Sequence, residues 1–494
     1  MAQLHPNFDA DFDADSESDS IPQDSDSLPG RDDAEEQLEE MDVDEDNAQE
    51  LRDAEVHGLL VEAFRVTAVA ITDVVEWAMP FLNRDTRSLQ PFPTFHRMRV
   101  AHLIHGSDEE FRVAVRMDKV VFWRLHAWCM AKTTMGRPKQ EYDTMVRLDE
   151  QLMIFLKYCG HKETMASSSQ FWGHSKGTIC RVINECLVGL HRLFEETVRL
   201  PGNDYTPPDK VGPGTRYHPW FSDCVGAIDG TFVRAFVRRS LGNKEAWRCR
   251  KDYYAQNVLG VCDFNSMFTY CLAGWEGRAH DAKIFDYAVH LYGLTLPRGK
   301  YLLADSGYPL TSITMTPYPR TRYHLREFNG RVTGREAQNK EELFNHRHSS
   351  LRMTIEQVWG VFKRRWGIWR SLPGPEYSIE KQILFVEVLM GINNFINGQQ
   401  PHDMLEQEIE REMGENPDDE PPDNPELVEA ERVARLAEEA VMTGSAEDSR
   451  EMSRRRDVIA SQMWEHELAT RRLRAEREQL RVRLRAEREQ LRMQ

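Results

Sequence analysis

The sequence lacks several features that define common protein classes. Its eight cysteines include no Cys-x-x-Cys pair and no zinc-finger spacing, so neither a cysteine-based zinc site nor a disulfide scaffold is expected. The N-terminus has no apolar, signal-like segment, which predicts reduced thiols in an intracellular compartment. No stretch approaches 18 consecutive apolar residues, so the sequence predicts no membrane span.

The chain also lacks the positive net charge typical of proteins that bind nucleic acids, since its net charge is −18. This charge is unevenly distributed. Residues 1–56 have 21 Asp/Glu and 2 Lys/Arg, and residues 403–494 have 25 and 16. Residues 57–402 therefore have 35 acidic and 45 basic residues, a net charge of +10. A basic body suits a polyanion such as DNA, because phosphate contacts release counterions; a solvated surface with a modest excess of charge is the alternative.

Composition and hydrophobic periodicity divide the 494 residues into five regions. The first is rich in Asp, Ser and Glu and poor in aromatic residues, which predicts disorder. The regions are an acidic tail (1–56), a helical region (57–200), a mixed region of strands and helices (215–400), an acidic linker (401–450) and a charged helix (451–494).

Residues 148–193 have the outline of a helix-turn-helix. The predicted helices are Leu148–Tyr158, Thr164–Trp172 with Thr164 as N-cap, and Lys176–Leu193 with Ser175 as N-cap. In a helix-turn-helix the last helix enters the major groove of DNA. The side chains that would then contact DNA are Lys176, Thr178 and Arg181. An ordinary helical hairpin that packs on the rest of the protein has the same spacing and is the alternative.

A repeat marks the end of the chain. The sequence Leu-Arg-Ala-Glu-Arg-Glu-Gln-Leu-Arg occurs at 473–481 and again at 484–492, an offset of 11 residues. This period corresponds to 3.67 residues per turn, so its leucines form one stripe along a helix. The stripe predicts a coiled-coil-like helix that docks a partner or forms a homo-oligomer through residues 473–491. A lone charged helix held by Glu–Arg pairs is the alternative.

Three acidic residues lie in settings that suit a metal site. Asp229 follows the strand-like run Val-Gly-Ala-Ile, and Asp305 follows Tyr-Leu-Leu-Ala. Glu356 lies in a helix predicted over Ser349–Trp369. Three strands, a helix, a strand and a later helix are the order of an RNase H-like α/β core, in which the first and fourth strands are neighbours. We therefore expect the three carboxylates to converge.

Carboxylates that converge repel one another unless a cation compensates their charge. Mg²⁺ prefers carboxylate oxygens, and Mn²⁺ has similar preferences. A pair of such ions can promote cleavage and joining of phosphodiesters. The sequence thus predicts a DDE-type nuclease or transposase, with Asp229, Asp305 and Glu356 as catalytic and metal-binding residues. Asp281 is a rival for the second position, but an acid at a helix start is explained by capping and the helix dipole.

Other residues near these acids could contact DNA. Arg352, Lys363 and Arg364 lie within about two turns of Glu356 on the predicted helix, and His348 precedes them. They would grip phosphates near the scissile bond, and a solvated basic stripe is the alternative. The glycines that follow the two aspartates, Gly230 and Gly307, would let a backbone phosphate approach closely.

Several short segments, taken in their order along the chain, form a recognisable series. The segments are Cys249-Arg250-Lys251, Gln256-Asn257-Val258, Ala273-Gly274-Trp275-Glu276-Gly277, His280-Asp281, Leu303-Ala304-Asp305-Ser306-Gly307-Tyr308-Pro309, Tyr323-His324-Leu325 and Ile355-Glu356. In this order they resemble the PIF/Harbinger transposases and the Harbinger-derived nucleases. The likeness covers roughly residues 105–400 and is densest from 225 to 370.

The resemblance implies an RNase H-like DDE nuclease that uses a divalent metal, works in the nucleus and cuts DNA at transposon terminal repeats. It implies the same catalytic acids, and a separate Myb-like DNA-binding protein as partner. Asp252 and Trp359 depart from the family pattern, which usually has a glycine and a smaller residue or Phe there. A domesticated, catalytically silent DNA-binding and assembly protein is the main alternative, and an RNase H-type RNA nuclease is another.

Overall fold

The structure is a computed structural model. It describes residues 95–137, 146–238, 243–321, 337–370, 375–401, 403–415, 423–428 and 446–493. The predictions for the acidic tail, for much of the linker and for Tyr323-His324-Leu325 therefore lie outside the described residues. The described residues belong to one compact unit, Pro80–Gln494.

Helices precede the sheet. They are α1 Phe95–His105, α2 Asp108–Val115, α3 Lys119–Lys132, α4 Leu148–Gly160, α5 Met165–Trp172 and α6 Lys176–Thr197. The two predicted N-caps are confirmed. The Thr164 hydroxyl accepts a hydrogen bond from the Ser167 backbone N–H, and the Ser175 hydroxyl accepts one from the Thr178 N–H, both at 3.1 Å. These bonds satisfy backbone donors that the start of a helix leaves without a partner.

A mixed sheet follows in the described residues 224–315. Its strands are β1 Cys224–Arg234, β2 Ala255–Cys262, β3 Phe268–Glu276, β4 Tyr301–Leu303 and β5 Thr314–Met315, with α7 Asp281–His290 between β3 and β4. The strand order is β3-β2-β1-β4-β5. β1 is antiparallel to β2 and parallel to β4. The first and fourth strands are thus neighbours, as the sequence predicts.

The remaining described helices are α8 Lys340–Arg365, α9 Ile379–Gln399, α10 Met404–Glu415 and α11 Ala446–Met493. α8 begins nine residues before the predicted start, because the Asn339 side chain caps it by accepting from the Glu342 N–H at 2.8 Å. α10 lies within the predicted linker, where Leu405 and Ile409 pack against Val361. None of the described helices is both long and apolar enough to span a membrane.

Helices cover both faces of the sheet. On one face, Ile284 and Phe285 of α7 join Leu259 and Val261 of β2 in a buried cluster. On the other face α8 approaches closely, since a Cβ atom on Gly260 would lie 2.4 Å from the indole of Trp359. Side chains alternate along a strand, so the successive residues Leu259 and Gly260 of β2 face opposite sides of the sheet. The predicted α/β class, a mixed sheet flanked by helices, is confirmed.

The long helix α11 has two different halves. In the first half, the buried Arg456 donates to the carbonyl oxygens of Thr316 and Pro317 at 2.9 and 3.1 Å, and its guanidinium lies 4.3 Å from the centre of the Tyr318 ring. From Arg472 onward, every side chain whose burial is described is exposed. The predicted helix is thus present, and its association through the leucine stripe stays a prediction.

Candidate active site

Asp229 and Asp305 lie at one edge of the sheet because of the way β1 and β4 pair. The last parallel pair joins Ala227 to Leu303, and each aspartate follows its strand residue by two positions. β1 continues beyond Asp229, so this residue lies inside the strand rather than at its end as predicted. Asp305 opens a turn in which its Oδ1 accepts from the Gly307 N–H at 2.7 Å. The glycine therefore fixes the direction of the Asp305 carboxylate.

Helix α8 brings Glu356 to the same edge, and Arg352 connects it to the sheet. Nη1 of Arg352 donates to Oδ2 of Asp229 at 3.1 Å, and Nη2 donates to Oε1 of Glu356. The Arg352 side chain is 11% exposed and that of Glu356 is 45% exposed. Arg352 was predicted to contact DNA phosphate, and the structure instead places it between two of the predicted catalytic carboxylates.

Asp281 lies beside this group. It is the first residue of α7, and its Oδ1 accepts from Nδ2 of Asn257 at 2.8 Å. A Cβ atom on Gly230 would lie 2.3 Å from the same oxygen. The space over Gly230, which the sequence suggested was left for a phosphate, is therefore filled by the Asp281 carboxylate. A side chain at this position would have to displace the Asp281 carboxylate.

The electrostatics of the edge are dominated by negative charge. Burial raises the pKa of Asp229 to about 7, Arg352 opposes this rise, and three neighbouring carboxylates add to it. Among these three, Asp281 acts more strongly than Asp305 or Glu356. Burial also raises the pKa of Asp281, against the hydrogen bond from Asn257. Asp229 thus interacts with three other carboxylates and with the guanidinium of Arg352.

The chemistry of these donors suits a divalent cation. Among the residues that the structure describes, no three or more His, Cys, Asp or Glu side chains form a group that could hold a metal ion. Arg352 separates two of the acids by bonding to both. Carboxylate oxygens are nevertheless the ligands that Mg²⁺ and Mn²⁺ prefer, and the excess negative charge favours a cation. Asp229, Asp305 and Glu356 are the residues that would hold it.

The other predicted phosphate contacts on α8 are His348, Lys363 and Arg364. His348 is fully buried, its Nε2 is 2.9 Å from the Met315 carbonyl oxygen, and burial lowers its pKa to about 3. A buried neutral imidazole cannot grip a phosphate, so this prediction is wrong. Lys363 and Arg364 are half-buried near the end of α8. Their predicted contact with DNA stays a prediction.

The predicted recognition helix, α6, is divided between two environments. At its start Lys176 is exposed, the Thr178 hydroxyl is 2.9 Å from that of Ser175, and Arg181 pairs with Glu185 at 3.6 Å. Its other end packs on α9, where a Cβ atom on Gly391 would lie 2.6 Å from the backbone of Phe194. The contact of Lys176, Thr178 and Arg181 with DNA stays a prediction.

Sequence comparisons match parts of the chain. Residues 228–394 match the family described as DDE superfamily endonuclease. Residues 94–192, in the helical region, match a family described as a domain of unknown function. Protein ALP1-like from Arabidopsis thaliana is 21% identical over 259 residues, which cover 49% of this chain and 59% of that protein. The chain thus spans less than two thirds of this curated relative. No solved structure gives a significant match.

The match to the endonuclease family and the geometry concern the same residues. Asp229, Asp305 and Glu356 all fall within residues 228–394, as do β1 to β5 from Ile228 onward and all of α8. The weaker likeness to the plant protein covers about half of the chain. Residues 228–394 thus carry a DDE superfamily endonuclease domain, which supports the resemblance to Harbinger-type nucleases.

Proposed function

We propose that this domain is an RNase H-like, metal-dependent DNA endonuclease or transposase. The observation that supports it most is the placement of Asp229, Asp305 and Glu356 at one edge of a sheet within a DDE superfamily endonuclease domain. Asp229, Asp305 and Glu356 would hold Mg²⁺ or Mn²⁺, which would supply charge stabilisation during cleavage of a phosphodiester. An acidic edge by itself would repel DNA, so cation binding and DNA binding at this edge would be linked.

The surrounding residues position these acids. Arg352 holds Asp229 and Glu356 in a fixed relation because one guanidinium donates to both. The turn at Gly307 fixes Asp305. The Asp229 side chain, which is 18% exposed, is thereby kept close to that of Glu356, which is 45% exposed.

The remaining parts of the proposal concern DNA and partners. Residues 57–402 have a net charge of +10, which favours a polyanion. Lys176, Thr178 and Arg181, in the first turns of α6, would contact transposon terminal repeats or target DNA. A nuclear location, a Myb-like DNA-binding partner and homo-oligomers formed through residues 473–491 complete the proposal.

A nicking assay on supercoiled plasmid tests the activity. We expect the full chain to nick DNA only with Mg²⁺ or Mn²⁺, and to lose this activity when the metal is removed with EDTA. Asp229→Asn, Asp305→Asn and Glu356→Gln should each reduce nicking by more than the roughly 10–100-fold that loss of an outer-shell partner costs at metal sites. Asp286→Asn is a matched control, because the Asp286 side chain is 41% exposed and pairs with His290 on α7. Full activity in the three variants would refute the assignment.

One observation favours a second candidate, a catalytically silent DNA-binding protein. Arg352 already gives Asp229 and Glu356 a positive partner, so a permanent ion-pair network could replace the cation. Calorimetry separates the two candidates. A silent protein would bind DNA without taking up Mn²⁺, whereas the nuclease binds Mn²⁺ and loses this binding in Asp229→Asn.

A further inference from the structure

A short piece of the acidic linker lies on the loop between β1 and β2. Oδ2 of Asp423 is 3.5 Å from Nε of Arg250, and its Oδ1 is 3.2 Å from Nζ of Lys251. The backbone N–H of Asn424 also donates to the carbonyl oxygen of Arg250 at 2.6 Å. Two neighbouring cations thus share one carboxylate that follows the whole endonuclease domain, 228–394, in the sequence.

The loop places Arg250 beside the edge that has the predicted catalytic acids. Its guanidinium lies 5.2 Å from the centre of the Phe232 ring. Side chains alternate along a strand, so Phe232 shares a face of β1 with Gly230, where the Asp281 carboxylate lies. Burial raises the pKa of Asp281, and the positive charge of Arg250 opposes this rise. Arg250 therefore lies within electrostatic reach of the candidate active site.

Aromatic rings accompany the basic side chains on this surface. Two residues beyond Phe232 in β1, the guanidinium of Arg234 lies 4.0 Å from the centre of the Tyr253 ring. The side chains of Arg250 and Lys251 are still 42% and 20% exposed beside the linker. Basic residues interleaved with aromatic rings are typical of grooves that follow a nucleic-acid backbone. The surface therefore has the chemistry to bind DNA.

The linker resembles a nucleic-acid strand in its charge. Residues 415–431 contain eight Asp/Glu and no Lys or Arg. Carboxylate and phosphate groups both offer anionic oxygens, and Arg and Lys bind both through charge-assisted hydrogen bonds. The two cations that hold Asp423 therefore suit a DNA phosphate equally well.

We propose that Arg250 and Lys251 form a DNA phosphate site beside the candidate active site, and that Asp423 of the linker occupies this site until DNA displaces it. The inference rests on the proposed function, because it positions a DNA strand at the edge where cleavage would occur. The acidic linker is then a competitor of DNA within the same chain.

Binding of a random-sequence DNA duplex to the full chain, measured by fluorescence anisotropy at low salt in EDTA, tests the site without requiring cleavage. Asp423→Asn removes the competing charge, so we expect the DNA affinity to rise about two- to fivefold, the range that loss of an exposed ion pair allows. Asp286→Asn is the matched control, because its side chain is 41% exposed against 43% for Asp423 and pairs with His290. Its DNA affinity should equal that of the wild type.

Arg250→Gln and Lys251→Gln test the cations. Each should weaken DNA binding and reduce the slope of log affinity against log salt concentration by about 1, as expected for one lost phosphate contact. Arg454→Gln is the matched control, because Arg454 is exposed on α11 and pairs with Glu451; its slope should not change. In the chain with both cations replaced, Asp423→Asn should no longer raise the affinity, because the acid acts through these two residues.

The possible results are distinct, once circular dichroism establishes that each variant is folded. Wild-type affinity in Asp423→Asn, or an unchanged salt slope in both Arg250→Gln and Lys251→Gln, would overturn the phosphate site and leave the proposed function to the nicking assay. A rise in affinity that persists when both cations are replaced would also overturn it. The expected binding pattern in a chain that never nicks plasmid would support the phosphate site and contradict the proposed nuclease.

Discussion

At the level of single residues, the absence of a side chain at position 230 determines where an acid lies 51 residues later. In the sequence, Gly230 suggested room for phosphate and Asp281 suggested a helix cap. Both interpretations used local rules, and neither could include a contact between β1 and the start of α7. A glycine inside a strand commonly marks a close approach by another group. That signal was present in the sequence, but it does not identify which group approaches.

His348 gives a prediction about pH. Burial lowers its pKa to about 3, with further lowering by Arg352 and Arg456 and opposition from the Met315 carbonyl. The unfolded chain gains a proton near pH 6.5 and the folded chain does not, so this residue's contribution to stability is lost as pH falls from 6.5 toward 3. Relative to His348→Gln, the wild type should lose about 2 kcal/mol between pH 6.5 and pH 4.5.

Chemical denaturation at several pH values, compared between the wild type and His348→Gln, measures this difference. Glutamine does not titrate and can still donate to the Met315 carbonyl. His290→Gln is the control, because His290 is exposed at the end of α7. A stability difference between wild type and His348→Gln that does not change with pH would show that the imidazole becomes protonated in the folded protein.

At the level of elements, local signals predicted most boundaries. Ser175 and Thr164 cap their helices as expected, because a capping side chain needs only residues three positions away. The sequence does not predict the true start of α8 because residues 340–348 are largely polar. β5 has only two residues, too few for any alternation to be visible. Its pairing with β4 depends on tertiary structure.

A buried ion pair should matter greatly for stability. Arg365 at the end of α8 forms two bonds to Asp403, at 2.8 and 2.9 Å, and also donates to the Arg116 carbonyl oxygen at 2.9 Å. Both side chains are almost fully buried. Asp403→Ala leaves the guanidinium without its carboxylate, so we expect unfolding to become easier by about 3–5 kcal/mol. Urea denaturation measures this loss.

An exposed ion pair provides the comparison. Glu451 and Arg454 lie on α11 at 3.4 Å, with about three quarters of each side chain exposed. Glu451→Ala should change the free energy of unfolding by less than about 1 kcal/mol, because water screens such pairs. Equal shifts in the two variants would mean that Arg365 finds another partner when Asp403 is removed.

At the level of the whole molecule, the order of strands and helices along the chain is the basis for predicting the site. The order predicted that β1 and β4 are neighbours, and their register then places Asp229 and Asp305 at one edge. The partner of Arg352 could not be predicted, because a basic residue one turn before Glu356 is equally suited to phosphate or to carboxylate. Which charge it meets depends on the packing of α8 against the sheet.

The uneven charge gives a prediction for the whole chain. Residues 1–56 have a net charge of −19, and residues 57–402 have +10. If the tail competes with DNA for the basic body, deleting residues 1–50 should tighten non-specific DNA binding at low salt. The gain should shrink near 0.15 M salt, where the Debye length is about 8 Å. Fluorescence anisotropy with random-sequence DNA measures it.

A tail with the same composition in scrambled order is the matched control. Because the expected effect depends on charge rather than sequence, this chain should bind DNA as the wild type does. Unchanged affinity after deletion, at every salt concentration, would exclude competition by the tail.

The two halves of α11 together make a structure of fixed length. The first half is anchored through Arg456 to the segment after β5, and the second half runs from Arg472 to Met493. At 1.5 Å per residue, these 22 residues extend for about 33 Å. A protein bound to the leucines near the tip would be kept at a set separation from the body. The helix would then act as a ruler, whereas a flexible tether would allow any distance up to its full reach.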